Sequence, residues 1–314
     1  MVSDKQITFC ILSYNRPDYL KRCIDSCLLY ASDSKIIILD NSYDQSLIRN
    51  LQKKYPDFIE WHFSDETLGY AKNFLRSFAL CKSQYLVALH DDDRITKEFC
   101  QTQLSILNAN NKASAISCNG YFIDSSNTRI RPLMPYKKIF NKIKVFSSKD
   151  DYIAHKYSIV GSCIPFSPMM FDLNKAMHLK HIIIDRAKEF GQAIDAILII
   201  DLLSDSDVIL NYEPLYECGD HAGQDSKVYD NFWESQFMLY LLRGSSISNK
   251  AKKIIISFYM TDIIINWAKS LFNKDMSVNI IISREIFSLK VIPNVMLAVF
   301  TRALIKLKLK RKGI

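Results

Sequence analysis

The chain has 314 residues, 48% hydrophobic and 24% charged, with only 8 glycines and 8 prolines, a composition that excludes disordered, collagen-like and low-complexity proteins. A chain this long buries enough surface to need no disulfide or metal staple, and its eight cysteines include no C-x-x-C pair, so they read as buried free thiols of a reducing compartment. The net charge of +8 is lopsided: from Lys227 onward 15 Lys and Arg face 5 Asp and Glu, while the residues before are slightly acidic, which points to an anionic partner at the C-terminal end.

Short β-rich runs alternate with helical patterns over the first hundred residues. Ile7 to Ser13, Lys35 to Asp40, Ile59 to Ser64 and Tyr85 to His90 each have the length of a strand, and the first, second and fourth are nearly continuous in apolar residues, as strands of a parallel sheet covered on both faces should be. Between them lie PDYLKRCIDSCLLY, with Pro17 placed to start a helix and Leu20, Cys23, Ile24, Cys27 and Leu28 on one face, then DQSLIRNLQKKY and YAKNFLRSFAL. The β-α-β-α-β-α-β order predicts a doubly wound α/β sheet. Thr96 to Asn108 then reads as a helix and Ala115 to Asp124 as a strand. Residues 125 to 157 lack a clear period and read as a mobile connection or lid. Asn174 to Ser204 is helical, Val208 to Tyr212 is a short strand, Glu213 to Ser226 is turn-rich, and helices follow beyond Lys227.

Ligands of such sheets bind beyond the carboxyl ends of the strands. There the sequence concentrates polar residues: Ser13-Tyr14-Asn15-Arg16, Asp40-Asn41-Ser42 and Asp91-Asp92-Asp93. Three consecutive carboxylates repel one another, and a divalent cation relieves that repulsion while leaving coordination positions for a phosphate; the alternative is a solvated loop capping the next helix. Asp40 can accept a hydrogen bond from a nucleobase or ribose, or else cap the helix near Asp44.

TFCILSYNRPDYLKRCIDSCL, IIILDNSYD, LGYAKNFLRSF and ALHDDDRI, in that order, resemble the nucleotide-sugar-binding half of family 2 glycosyltransferases, over about residues 5 to 125 and more weakly to Ser226. The resemblance implies a GT-A fold, a Rossmann-like mostly parallel sheet flanked by helices. It implies an inverting transferase that uses a nucleotide-diphosphate sugar, most commonly a UDP-sugar, with a Mn2+ or Mg2+ ion. Carried onto this sequence, it sets Ser13, Tyr14, Asn15 and Arg16 against base and ribose and Asp40 on the base. Lys72 and Asp92 join the nucleotide-binding set. Many members carry Asp where His90 stands, which leaves the metal pair among Asp91, Asp92 and Asp93 open; the i, i+2 spacing favours Asp91 and Asp93. GQAIDAILIIDLL followed by VILNYEPLYECGDHAGQDS resembles the family's acceptor side, so Asp195 matches the general base, with Asp201 and Asp185 as competitors, and His221 matches a residue near diphosphate or metal.

The implied organisation is a glycosyltransferase domain over 1–226, with a nucleotide-sugar half (1–125) and an acceptor half (126–226), then a helical, basic region over 227–314. The acceptor implied is a glycan or lipid-linked glycan of surface polysaccharide synthesis. VIPNVMLAVFTRALIKLKLKRKGI pairs an apolar stretch with six basic residues, the pattern of an in-plane helix on an anionic membrane surface; a packed terminal helix with a basic tail is the alternative. No run of 18 apolar residues predicts a membrane span, and MVSDKQITFC lacks a signal peptide's pattern, so a cytoplasmic location, peripheral on the membrane's inner face, is expected. No nucleic-acid module accompanies the charge. A sugar-phosphate nucleotidyltransferase would carry a Gly-rich loop after the first strand, where SYNRPDYL has no glycine. A non-catalytic nucleotide-sugar-binding protein would not need the full set of carboxylates.

Overall fold

The computed structural model of the chain describes residues 6–31, 33–134, 142–157, 163–221, 231–244 and 246–272. The first half alternates as expected: β1 (Ile7–Ser13), α1 (Pro17–Tyr30), β2 (Lys35–Asp40), α2 (Ser46–Gln52), β3 (Glu60–Phe63), α3 (Tyr70–Leu80) and β4 (Tyr85–His90). All seven residues of β1 are buried, as the unbroken apolar run requires of a strand covered on both faces. Pro17 opens α1, whose Leu20, Cys23, Ile24 and Cys27 face the core. Phe74 and Phe78 of α3 pack with Phe166 and Phe171 at ring-centroid distances of 5.3–6.2 Å.

There follow β5 (Arg94–Ile95), α4 (Phe99–Asn108), β6 (Ala113–Ile123), β7 (Arg129–Pro132), β8 (Ile143–Phe146), α5 (Lys149–Lys156), β9 (Met170–Asp172), α6 (Leu173–Ala176), α7 (Leu179–Phe190), α8 (Ile194–Leu202), β10 (Asp207–Gly219), α9 (Asn231–Arg243) and α10 (Asn249–Phe272). The sheet order is β3-β2-β1-β4-β9-β6-β10-β5, with β7 beside β6 and β8 beside β10. The strands β3, β2, β1 and β4 are parallel, as are β6 and β10, while β9 joins the two sets antiparallel to both.

Register fixes the polar edge of the sheet. Ser13 lies opposite Asp40, and Leu12 opposite His90, so the polar tails of β1, β2 and β4 emerge side by side. The ladder continues past the strands through Asn41 N to Ser13 O (2.9 Å) and Asp91 N to Leu12 O (3.1 Å), holding these tails on ordered backbone.

Two expectations are corrected. Residues 125–157, read as an aperiodic connection, contain β7, β8 and α5, and β7 pairs back onto β6 through a turn in which Asp124 accepts from the Ser126 and Thr128 amides. Residues 135–141 lie outside the described residues. The short strand at 208–212 belongs to the 13-residue β10, which runs on through the first half of the turn-rich segment to Gly219. Pro214 cannot donate to a ladder and so resembles a strand end. Register shifts on either side of it carry the strand past, and Gly120 of β6 gives the bulged chain room: a Cβ there would meet Tyr216 O at 2.3 Å.

Two compact units are present, one of residues 1–147 with 164–230 and one of 148–163 with 231–314. In the second, Lys156 on α5 pairs with Glu234 on α9 (3.1 Å), Tyr157 donates to the same carboxylate (2.8 Å), and the Tyr157 ring meets Phe258 of α10 at 5.1 Å. The basic tail from Pro293 lies outside the described residues. Among the described residues no helix is long and apolar enough to cross a membrane. All eight cysteines are free thiols, six of them buried.

Replacing Gly120 by Ala should lower stability by about 1–3 kcal/mol, the usual cost of overpacking, measured by urea denaturation. A wild-type midpoint would mean that the β6–β10 pairing does not need the close approach.

Candidate functional site

The three carboxylates after β4 are all buried, and each has a different environment. Asp91 accepts from the backbone N–H of Tyr14 through Oδ2 (3.0 Å) and pairs with Arg16 through Oδ1 (2.5 Å). Burial nevertheless pushes its carboxyl up to about 7, with Arg16 opposing the rise. Asp92 lies 2.9 Å from His221 Nε2 and 3.5 Å from Arg16; His221 and Arg16 hold its carboxyl below the usual range against the burial that would raise it. Asp93 is held well up by burial and by Asp92. Its Oδ2 accepts from the Ser167 hydroxyl, while its buried Oδ1 has no hydrogen-bond partner.

The loop after β1 is shaped around this cluster. Asn15 adopts a left-handed backbone (φ 57°), which Asn tolerates better than most residues, and its N–H donates to Ser42 Oγ at 2.8 Å. Ser42 in turn donates to Asp40 Oδ1 at 2.8 Å, tying the ends of β1 and β2 together. Burial raises the Asp40 carboxyl, with the Ser42 hydroxyl and nearby Arg76 opposing. Ser13 is buried, and Tyr14 is 44% exposed beside the cluster.

His221, just past β10, packs its ring on Tyr19 at 4.7 Å. Arg16 Nη1 approaches His221 Nε2 at 2.9 Å, the nitrogen that also faces Asp92. That nitrogen accepts from Arg16 when unprotonated and donates to Asp92 when protonated, so one proton decides which contact holds. Gly219 is required at the end of β10, because a Cβ would meet Asp92 O at 2.8 Å.

Asp195, in the first turn of α8, reaches this region. Its Oδ1 faces the Tyr70 hydroxyl at 3.4 Å, and the Tyr70 ring meets His90 edge-on at 5.6 Å. Burial pushes the Asp195 carboxyl up to about 7, with Tyr70 opposing. The competitors are engaged elsewhere. Asp201 is gripped at both oxygens by Arg186 (2.8 and 2.9 Å), and Asp185 is exposed and pairs with Lys188.

A donor atom from each of His90, Asp92 and Asp93 lies within 4.8 Å of the others. One imidazole and two carboxylates, of which Asp93 offers the oxygen without a hydrogen-bond partner, fit a divalent ion that accepts mixed N/O donors. The expected pair Asp91 and Asp93 is thus split in this arrangement, with Asp91 facing Arg16. Lys72 is exposed on α3 and contributes no ion pair to the cluster among the described residues. Arg76, one turn on, points inward instead, donating to Asn73 Oδ1 (2.8 Å) and His62 O (2.9 Å) and lying 3.4 Å from Asp40 O. Arg76, Tyr70, Ser167 and Gly219 escape the sequence reading. Only Arg76 and Tyr70 carry a signal, a cation and an aromatic within one helical turn or two of Lys72.

The sequence profile described as "Glycosyl transferase family 2" matches residues 8–174. The chain belongs to that family. No curated protein matches it. Among solved structures, S. aureus TarS 1-349 in complex with UDP-GlcNAc is similar at 12% identity and a TM-score of 0.59, over 94% of this chain and 80% of that one. S. aureus TarS itself is similar at 12% identity and 0.57, over 86% of this chain and 46% of that one. At such identity the likeness is one of fold, and the family 2 glycosyltransferase has the GT-A architecture, a mostly parallel central sheet flanked by helices.

Tyr70→Phe removes the hydrogen bond that opposes the rise of the Asp195 carboxyl. A lost hydrogen bond worth about 0.5–1.5 kcal/mol should lift the Asp195 pKa by roughly 0.4–1, followed by 13C NMR titration of labelled aspartate side chains. An unmoved titration would show that the 3.4 Å contact carries no energy.

Proposed function

We propose that this glycosyltransferase moves a sugar from a nucleotide-diphosphate sugar, a UDP-sugar in particular, to a hydroxyl of a glycan or lipid-linked glycan, with inversion at the anomeric carbon. The observation that carries the reading is the link Asp195–Tyr70–His90, which joins an acceptor-side carboxyl with a pKa raised to about 7 to the acidic edge of a family 2 sheet. UDP-GlcNAc bound to the similarly folded TarS supports the choice of donor.

In this reading Tyr14, half exposed beside Asp40 and Asn15, offers its ring to the base, and Ser13, Asn15, Asp40 and Lys72 complete the nucleotide contacts. Arg16 lies between Asp91, Asp92 and His221 and can turn toward the diphosphate. His90, Asp92 and Asp93 would hold the divalent ion, with His221 adjoining. A bound ion supplies positive charge against the diphosphate as the leaving group gains negative charge. Asp195 accepts the proton of the attacking hydroxyl, and direct displacement aided by one base inverts the configuration.

Only ionised Asp195 can accept that proton. With a carboxyl titrating near 7, transfer should fall as pH drops below about 7 and level off above it. Asp195→Asn should lower kcat by about 10²–10⁴-fold, the usual contribution of a general base, with nucleotide affinity little changed; an assay of transfer beside calorimetric UDP titration separates the two. Loss confined to nucleotide binding would move Asp195 to the donor side. Asp91 also titrates near 7, and Tyr70→Phe distinguishes the two, because it shifts the acid limb upward only if that limb belongs to Asp195.

The domain reading is a donor and acceptor region over 1–226 followed by a helical, basic region over 227–314. The excess of 15 basic over 5 acidic residues from Lys227 supports docking of that end on the anionic inner face of the cytoplasmic membrane. Truncation after Ile292 should release the protein from phosphatidylglycerol vesicles while preserving UDP binding. High salt should release the full chain only partly, since salt screens charge but not apolar burial. Equal sedimentation of both chains with the vesicles would make the tail a packing element.

A further inference from the structure

We propose that His90 is itself a ligand of the divalent ion, and that its imidazole gives the site a preference for Mn2+ over Mg2+. This rests on the metal-dependent reading above and deepens it.

The donor count leads there. Of the three consecutive carboxylates, Asp91 has both oxygens engaged, Oδ1 by Arg16 and Oδ2 by the Tyr14 amide. Asp92 and Asp93 remain, and Asp93 presents a buried oxygen with no hydrogen-bond partner. The third group whose donor atom reaches theirs, within 4.8 Å, is the His90 imidazole.

His90 is also held as a ligand should be. Its backbone N–H donates to Ser167 Oγ (3.1 Å), and the same hydroxyl donates to Asp93, so one serine sets the spacing between strand end and carboxylate. The ring rests edge-on against Tyr70, 85° from its plane. These two contacts fix the strand end and set the ring against Tyr70. Neutral imidazole with two carboxylates balances a divalent charge. Mg2+ demands near-ideal octahedra of oxygen and dehydrates reluctantly, so an imidazole among the ligands disfavours it relative to Mn2+, a first-row transition ion, even though imidazole suits Fe2+ and Zn2+ better still.

The test uses the full chain and Mn2+ alone. Pulsed electron paramagnetic resonance of bound Mn2+ should show coupling to a directly bound nitrogen, changing from the 14N to the 15N pattern when histidine is 15N-labelled. The coupling should persist in His221→Gln and vanish in His90→Asp. In competition titrations Mg2+ should displace Mn2+ at least about tenfold more readily from His90→Asp than from wild type. Coupling that survives in His90→Asp, or wild-type Mn2+ with no nitrogen coupling beyond that of His221, overturns the role of His90 and leaves the metal-dependent reading intact. A wild-type chain that binds no Mn2+ overturns both. The labelled wild type and His221→Gln decide the matter even if His90→Asp fails to fold.

Discussion

Three buried carboxylates on consecutive residues are the constraint around which this molecule is arranged. In a low-dielectric setting such charges repel strongly, and an unpaired buried charge is costly. The chain therefore brings a separate partner to each: Arg16 and the Tyr14 amide to Asp91, His221 to Asp92, Ser167 to Asp93. These partners come from the loop after β1, from the end of β10 and from the segment before β9. The cluster is also what ties three distant stretches of chain together.

The same requirement explains local oddities. Asn15 takes a left-handed backbone so that the loop can turn Arg16 onto the cluster while its own amide meets Ser42. Gly219 lacks a side chain because β10 must pass against Asp92, and Gly120 because the bulged part of β10 must pass against β6. Past the register shifts around Pro214 the pairing with β6 resumes to Gly219, and His221 beyond it meets Asp92. Backbone irregularity in the sheet and electrostatics at its edge are two views of one arrangement.

Asp195 shows how environment assigns roles to equivalent groups. Asp195, Asp201 and Asp185 are all aspartates on neighbouring helices. Fork-like pairing with Arg186 commits Asp201 to structure, and exposure leaves Asp185 an ordinary surface carboxylate. Burial with a single distant hydroxyl partner leaves Asp195 titrating near neutrality, where a group can exchange protons in either direction.

The sequence by itself determined the β1–β4 half. Short unbroken apolar runs of strand length read as strands buried on both faces, and helices of 3.6 periodicity between them call for parallel pairing, so the polar tails of β1, β2 and β4 meet at one edge. The order of SYNRP, LDNS and HDDD was enough to mark that edge and to point to the family. Tertiary structure alone decided what each polar group does there. That Asp91 belongs to Arg16, that His90 stands with Asp92 and Asp93, and that Arg76 rather than Lys72 faces inward depend on contacts between residues up to 77 positions apart in sequence. The β7–β6 and β8–β10 pairings and the passage of β10 beyond Pro214 also escaped, since a strand completed by distant partners and a bulge has no period of its own to read. Local pattern encodes which face a residue takes; the partner waiting on that face comes from elsewhere in the chain.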